Sequence, residues 1–337
     1  MFSITNEKVA GFAPRWAGFR GFSILFDNPG DCLMPAGPCQ TLACDVEGDA
    51  ALGFYKSLRG SLARLDPDLL MAAYLFCPLP PSSYHVTVWD GANDGNKSLA
   101  LGDRRPALEQ LFAGMPDALA QPQEMTVSAQ GSPLVRRQDW DIEFRFDHLS
   151  IRGALVARLS PTEASQEAFA EFVKERHRLN DSFHESFGIA AYEDYTPHVS
   201  LGYFASREGA QMARPCLRDW DALFAERMQG LTLTFQKASL YGFTDMATFF
   251  KATDLPRFQS PPASTTLLPL FEASAQKVVA RPKCNLGRIH AESLPGGVSD
   301  PIFGVPSRLP PTSSALPGKN NRKKLLLALD KKRCDAV

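Results

Sequence analysis

Tyr84-His85-Val86-Thr87-Val88-Trp89 alternates as a strand alternates, and Pro197-His198-Val199-Ser200-Leu201-Gly202 repeats the pattern far downstream. Residues i and i+2 of a strand share a face. His85 and Thr87 therefore point one way, and Val86 and Val88 point the other. His198 and Ser200 stand in the same relation to Val199 and Leu201. A strand that buries Val or Leu on one face and shows imidazole and hydroxyl on the other suits the floor of a cleft. Two such strands side by side would set two histidines and two hydroxyls around one small anion.

The bare pattern is cheap, since His148-Leu149-Ser150 and His184-Glu185-Ser186 also have it. Context separates them. His184 falls in a helical stretch, where i and i+2 do not face each other. His148 lies beside Arg152-Gly153, which reads as a hairpin turn. Both are read as ordinary polar residues. His177 and His184, seven apart on one helix, read as a solvated helix margin rather than a metal pair.

Two His-x-Thr/Ser motifs on strands, one in each half of the chain, resemble the two-histidine phosphoesterase superfamily, which includes 2′,3′-cyclic phosphodiesterases and RNA-ligase-like proteins. Pro197-His198-Val199-Ser200-Leu201-Gly202 is the closer match. Leu79-Pro80-Pro81-Ser82-Ser83-Tyr84-His85 resembles a poorly characterised branch of the same superfamily. The resemblance spans roughly residues 41–253. It implies two lobes packed about a central groove, with His85 and His198 catalytic and Thr87 and Ser200 holding phosphate.

Composition bounds the rest. A chain of 337 residues with 44% hydrophobic and 22% charged residues can bury a core without staples. The net charge of −1 gives no global pull toward nucleic acid or membrane. A local positive patch would still serve one terminal phosphate. The seven cysteines form no Cys-x-x-Cys and have no histidine cluster near them, so a zinc site is not expected. The N-terminal residues lack the apolar core of a secretory signal. Reduced thiols and a cytoplasmic location are expected. The charge-poor run from Leu69 to Trp89 is broken by Pro78, Pro80 and Pro81, which argues against a membrane span.

Along the chain, residues 1–40 are rich in Gly, Phe and Pro and read as an N-terminal arm, with Trp16 to Phe26 read as a packing arm or an entry strand. Residues 41–254 read as a two-lobed domain. Thr41–Val46 reads as a strand, and Ala50–Leu65 has helical spacing. The motif strand follows at Ser83–Trp89, then a helix over Pro106–Ala120 and a strand over Glu124–Ala129. Ile142–Phe146 and Ala154–Leu159 read as paired strands. Pro161 is expected in the first turn of a long helix that ends at Gly188, with Phe169, Phe172, Phe183 and Phe187 along one face. The second motif strand, a helix over Ala210–Met228 and a closing hairpin complete the pattern. The first half reads strand, helix, motif strand, helix, strand, and the second repeats that order with one further strand. The expected class is α+β: a bilobal, duplicated fold of two antiparallel sheets flanked by helices. Residues 255–337 show no period and few aromatics and read as a disordered tail.

Hydrolysing a cyclic phosphodiester needs a base to activate water and an acid to protonate the departing oxygen. Histidine suits both roles near neutral pH. Thr87 and Ser200 would donate to the non-bridging oxygens. No metal or other cofactor is required. Tyr84, Trp89, Tyr195 and Tyr203 are candidates for stacking on a base, although aromatic residues mostly pack. The expected partner is a nucleotide or an RNA terminal phosphate, with no membrane and the chain acting as a monomer. Hydrolysis of linear 3′–5′ or 2′–5′ oligonucleotides and non-catalytic binding of a nucleotide or RNA end are the alternatives.

Overall fold

A computed structural model of the chain describes residues 3–11 and 15–253. The strands run in order β1 (Val9–Gly11), β2 (Arg15–Trp16), β3 (Gly21–Phe26), β4 (Leu33–Ala36), β5 (Cys39–Leu42), β6 (Phe76–Pro78) and β7 (Thr87–Asn93). They continue as β8 (Ile142–Ile151), β9 (Ala154–Pro161), β10 (His198–Phe204), β11 (Thr232–Phe235), β12 (Ala238–Asp245) and β13 (Thr248–Ala252). The helices are α1 (Gly53–Arg64), α2 (Pro67–Tyr74), α3 (Arg105–Ala113), α4 (Glu124–Gln130), α5 (Pro133–Arg136), α6 (Gln166–Phe187), α7 (Arg207–Ala213) and α8 (Leu217–Met228).

The fold is α+β with two main antiparallel sheets. One is six-stranded in the order β4-β5-β13-β12-β3-β7, the other five-stranded in the order β11-β8-β9-β10-β6. The first motif lies at the edge strand β7 and the second on β10. A bridge between Val86 and Val199 joins the two.

The sheets do not divide the chain into two halves. Strands β12 and β13, late in the sequence, lie between β5 and β3. Strand β6, from the first half, forms the edge of the five-stranded sheet beside β10. The segment read as a packing arm or an entry strand supplies β3, which pairs with β12 on one side and β7 on the other. All six of its residues are buried. A strand covered on both faces has no alternation to read, and Gly21-Phe22-Ser23-Ile24-Leu25-Phe26 shows only a short apolar run.

Asp27 ties the exchanged strands together. Its carboxylate accepts hydrogen bonds from Ser239 Oγ (2.9 Å), Tyr241 Oη (2.7 Å) and Lys251 Nζ (3.0 Å). Helix α6 packs over the apolar side. Phe26 stacks on Phe172 (4.7 Å) and Phe235 (4.6 Å), and Phe183 meets the edge of Trp89 (4.8 Å). Each fully buried side chain of this kind contributes roughly 1.5–3 kcal/mol.

Several expected elements differ. Glu124–Ala129 is helical: Met125, Thr126 and Ala129 are buried at helical spacing, and the Gln123 N–H donates to Thr126 Oγ1 (3.3 Å) at the helix start. The helix expected over Pro106–Ala120 stops at Ala113. A 3₁₀ turn over Asp117–Ala120 follows Pro116, whose missing N–H cannot continue an α-helix. Pro161 closes β9 rather than opening α6. The helix expected over Ala210–Met228 is split by a 3₁₀ turn containing Pro215. The strand expected over Thr41–Val46 lies earlier, at Cys39–Leu42.

Among the described residues no helix is long and apolar enough to cross a membrane. Cys32, Cys39, Cys44, Cys77 and Cys216 are free thiols. The tail expected to be disordered, with Cys284 and Cys334, lies outside the described residues.

Candidate active site

The alternation in the two motifs is realised in three dimensions. Val86, Val88, Val199 and Leu201 are each no more than 1% exposed, whereas His85, Thr87, His198 and Ser200 are half-buried. The Val86–Val199 bridge is antiparallel, so its register sets His85 across from Ser200 and Thr87 across from His198. By that register the four polar side chains fall on the face away from the valines, and His198 is near enough to act electrostatically on His85. His85 precedes β7 proper, following a 3₁₀ turn over Pro81–Ser83.

Each histidine is oriented by its own motif. His85 Nδ1 lies 2.7 Å from the Ser83 carbonyl, and His198 Nδ1 lies 2.9 Å from the Thr196 carbonyl. A carbonyl only accepts, so Nδ1 carries the proton in both rings. Nε2 is then the basic nitrogen of each neutral imidazole. The two motifs use the same device: a donation back to the residue two places earlier.

Burial lowers both histidines. His85 packs against Phe249, with ring centroids 4.2 Å apart. That desolvation pushes its pKa down to about 4, opposed by the Ser83 carbonyl and reinforced by the nearby charge of His198. His198 is lowered by burial first. The Thr196 carbonyl opposes this, the Arg158 guanidinium adds to it, Asp90 pulls the other way, and Lys8 adds a further small depression.

The four candidate stacking residues divide. Trp89 does not share the face of His85. The pairing of β7 with β3 slips between Thr87 and Trp89, where Leu25 faces Thr87 and Ile24 faces Trp89. The extra residue, Val88, makes a bulge that turns the indole inward, where its Nε1 approaches Asn180 Oδ1 (3.4 Å). Tyr84 is 1% exposed and packs edge-on to Tyr55. Tyr195 lies under the Arg176 guanidinium, 5.0 Å from it. Of the four, Tyr203 lines the open cleft beside His198 and Ser200, a space of ≈ 420 Å³. His85 and Thr87 are not part of that cleft wall.

Two residues of α6 hold the motifs in register. Arg176 is 2% exposed. Its Nε donates to the Val88 carbonyl (2.9 Å), its Nη1 to Glu193 (3.1 Å) and its Nη2 to Tyr192 (2.6 Å). It thereby pins the bulge after the first motif to the loop before the second. Asn180, one turn on, accepts from the Ala191 N–H at 2.6 Å. The sequence signal for both was present. Arg176 and Asn180 sit four apart inside the apolar spacing of Phe172, Leu179, Phe183 and Phe187, where a polar residue needs a buried partner.

Arg158 is a further residue the motifs did not announce. It pairs directly across from His198 in the β9–β10 register. His148 is partnered by Asp147 (2.8 Å), and His177 and His184 are exposed on α6.

No family model matches the chain, and no curated protein matches it. Among solved structures, a conserved protein of unknown function from Agrobacterium tumefaciens strain C58 aligns with 72% of this chain and 88% of its own length. The two are 17% identical, with a TM-score of 0.42.

Proposed function

We propose that the chain is a phosphoesterase of the two-histidine type, acting without a metal on a phosphodiester, with a 2′,3′-cyclic phosphate on a nucleotide or RNA end as the preferred substrate. The observation that carries this reading is the matched orientation of His85 and His198. Each is locked by Nδ1 donation two residues back, and each stands across from the other motif's hydroxyl. A near-symmetric pair of this kind serves an in-line displacement at phosphorus.

In the proposed reaction one histidine Nε2 takes a proton from water as the oxygen attacks phosphorus. The P–O bond on the opposite side breaks, and the second histidine gives its Nε2 proton to the departing ribose oxygen. His85, with its pKa near 4, is neutral over most of the working range and suits the base. His198 opens on the cleft and suits the acid, because a bound phosphate would raise its proton affinity. Thr87 and Ser200 donate to the non-bridging oxygens. A cytoplasmic location accords with the free thiols among the described residues.

The test is a parallel assay of 2′,3′-cyclic nucleotides, linear 3′–5′ and 2′–5′ oligonucleotides and a generic phosphodiester, with EDTA present. Turnover of the cyclic substrates, lost in His85→Ala and His198→Ala, is the expected result. Turnover confined to linear oligonucleotides would change the substrate class. Tight binding with no turnover would make this a binding module, and activity that vanishes with EDTA and returns with a divalent ion would rule out the scheme.

A further inference from the structure

The cleft that begins at His198 and Ser200 carries more positive charge than one phosphate needs. Lys8, Arg152 and Arg158 line it, and no carboxylate lines it among the described residues. None of the three has a carboxylate at ion-pair distance among the described residues. Arg158 donates weakly to the Thr196 carbonyl (3.4 Å), and Lys8 lies over the rings of Phe19 (5.0 Å) and Tyr203 (5.3 Å). Arg152 and Arg158 are close enough to repel, and burial and that repulsion both lower Arg158. Crowding cations without a counter-charge is unfavourable in the empty protein and favourable once an anion sits among them.

The rim adds a second observation. Tyr192 lines the same cleft with 83% of its surface exposed. Its backbone is nevertheless fixed, because its carbonyl accepts from Arg176 at 2.6 Å. A free aromatic ring on a pinned backbone, beside a positive groove, is what a single-stranded nucleic acid uses for stacking.

We infer that this cleft binds the linking phosphate and base of the nucleotide that precedes the terminal one carrying the reacting phosphate, so that the substrate is the end of a single-stranded RNA rather than a free mononucleotide. Arg158 and Arg152 hold the flanking phosphate, Lys8 extends the positive floor, and Tyr192 stacks on a base. The inference rests on the proposed phosphodiester chemistry for the identity of the reacting group. The cleft and its charge are independent of it.

Two measurements separate the possibilities. In the first, a fluorescently labelled oligoribonucleotide with a 3′-phosphate is titrated against the protein at several salt concentrations. Three cations predict a slope of log K against log salt of about −2, falling by about 0.7 in Arg152→Ala. Tyr192→Ala weakens binding by about five- to a hundredfold. Arg152 is exposed in the β8–β9 turn, so this variant is expected to fold, and an unchanged unfolding midpoint checks it. In the second, kcat/KM is compared for a cyclic mononucleotide and a dinucleotide ending in a 2′,3′-cyclic phosphate. The dinucleotide is preferred by the wild type, and Arg152→Ala reduces the ratio by about tenfold. Equal use of both substrates by wild type and variant would overturn the inference while leaving the chemistry standing. Binding that depends on Arg152 and Tyr192, with no turnover of any phosphodiester, would uphold the cleft and sink the proposed reaction.

Discussion

At the scale of single residues, the two histidines decide what is measurable. His85→Ala and His198→Ala are each expected to cost about a hundred- to ten-thousandfold in turnover, and the double variant less than the product. Ser200→Ala or Thr87→Ala should cost about ten- to a thousandfold with little change in the unfolding midpoint. Unperturbed imidazoles would centre the pH–rate bell near neutrality. Both histidines are lowered, so the kcat/KM profile is expected on the acid side, rising near pH 4 as His85 loses its proton and falling below pH 6.5 as His198 loses its own. A maximum above pH 7 would contradict these roles. The same depression sets a stability trend. The folded state keeps His85 neutral down to about 4, while the unfolded chain protonates it near 6.5. Its contribution is therefore present above 6.5 and lost as pH falls toward 4. Denaturant midpoints of wild type and His85→Asn, followed from pH 7.5 to 4, should converge as the pH drops. The alternation of His85, Thr87, His198 and Ser200 was legible because each lies next to Val or Leu. The burial of Trp89 was not, because a bulge leaves no mark on a single strand's sequence. Arg158 was equally hidden, since only the pairing of β9 with β10 sets it beside His198.

At the scale of elements, α6 acts as the clamp between the motifs. Arg176→Lys retains the charge but not the planar fork that reaches Val88, Tyr192 and Glu193 together. A loss of about 2–4 kcal/mol is expected from the freed carbonyls, which thermal unfolding would show as a midpoint lower by roughly 5–15 °C. Turnover at 25 °C should fall as well, because the bulge and the Tyr192 loop no longer share a fixed point. A variant with normal turnover and a normal midpoint would show that the clamp is redundant. Asp27→Ala is the matching test on the six-stranded sheet. It leaves the Tyr241 hydroxyl without its acceptor and Lys251 without its counter-charge, although Lys251 still donates to Ser239 Oγ (2.7 Å), and should cost about 2–4 kcal/mol by denaturant titration. Gly91 is a backbone requirement of the same region: its φ is +60°, and a Cβ there would stand 2.0 Å from the Phe22 carbonyl oxygen. Helices with an amphipathic period, such as α1 and α6, were readable. Strand β3 was readable only as one of two alternatives, an entry strand or a packing arm, because both its faces are covered, and α4 was not, because its short run fits either period.

At the scale of the whole molecule, the sheets are woven from both ends of the described chain. From sequence the two halves look alike, which suggests two lobes each made from its own half. Nothing local says that β12 and β13 return to lie between β5 and β3. Separate fragments of residues 1–138 and 139–253 are therefore expected not to fold alone. The first lacks the strands at the middle of its sheet, and the second lacks β6. Mixed together they should recover the far-ultraviolet dichroism and cooperative unfolding of the intact chain. Two independently cooperative fragments would refute the weave. The weave also has a timetable. Ser239 and Asp27 meet across 212 residues. At about 5–20 residues per second of synthesis, β12, the second partner of β3, leaves the ribosome some ten to forty seconds after β3 itself. During that interval Gly21–Phe26 has only β7 to pair with, and its other edge stays open. The growing polypeptide must therefore reach residue 252 before that edge is covered and the sheet complete, which makes the nascent chain, rather than the finished protein, the form most exposed to aggregation.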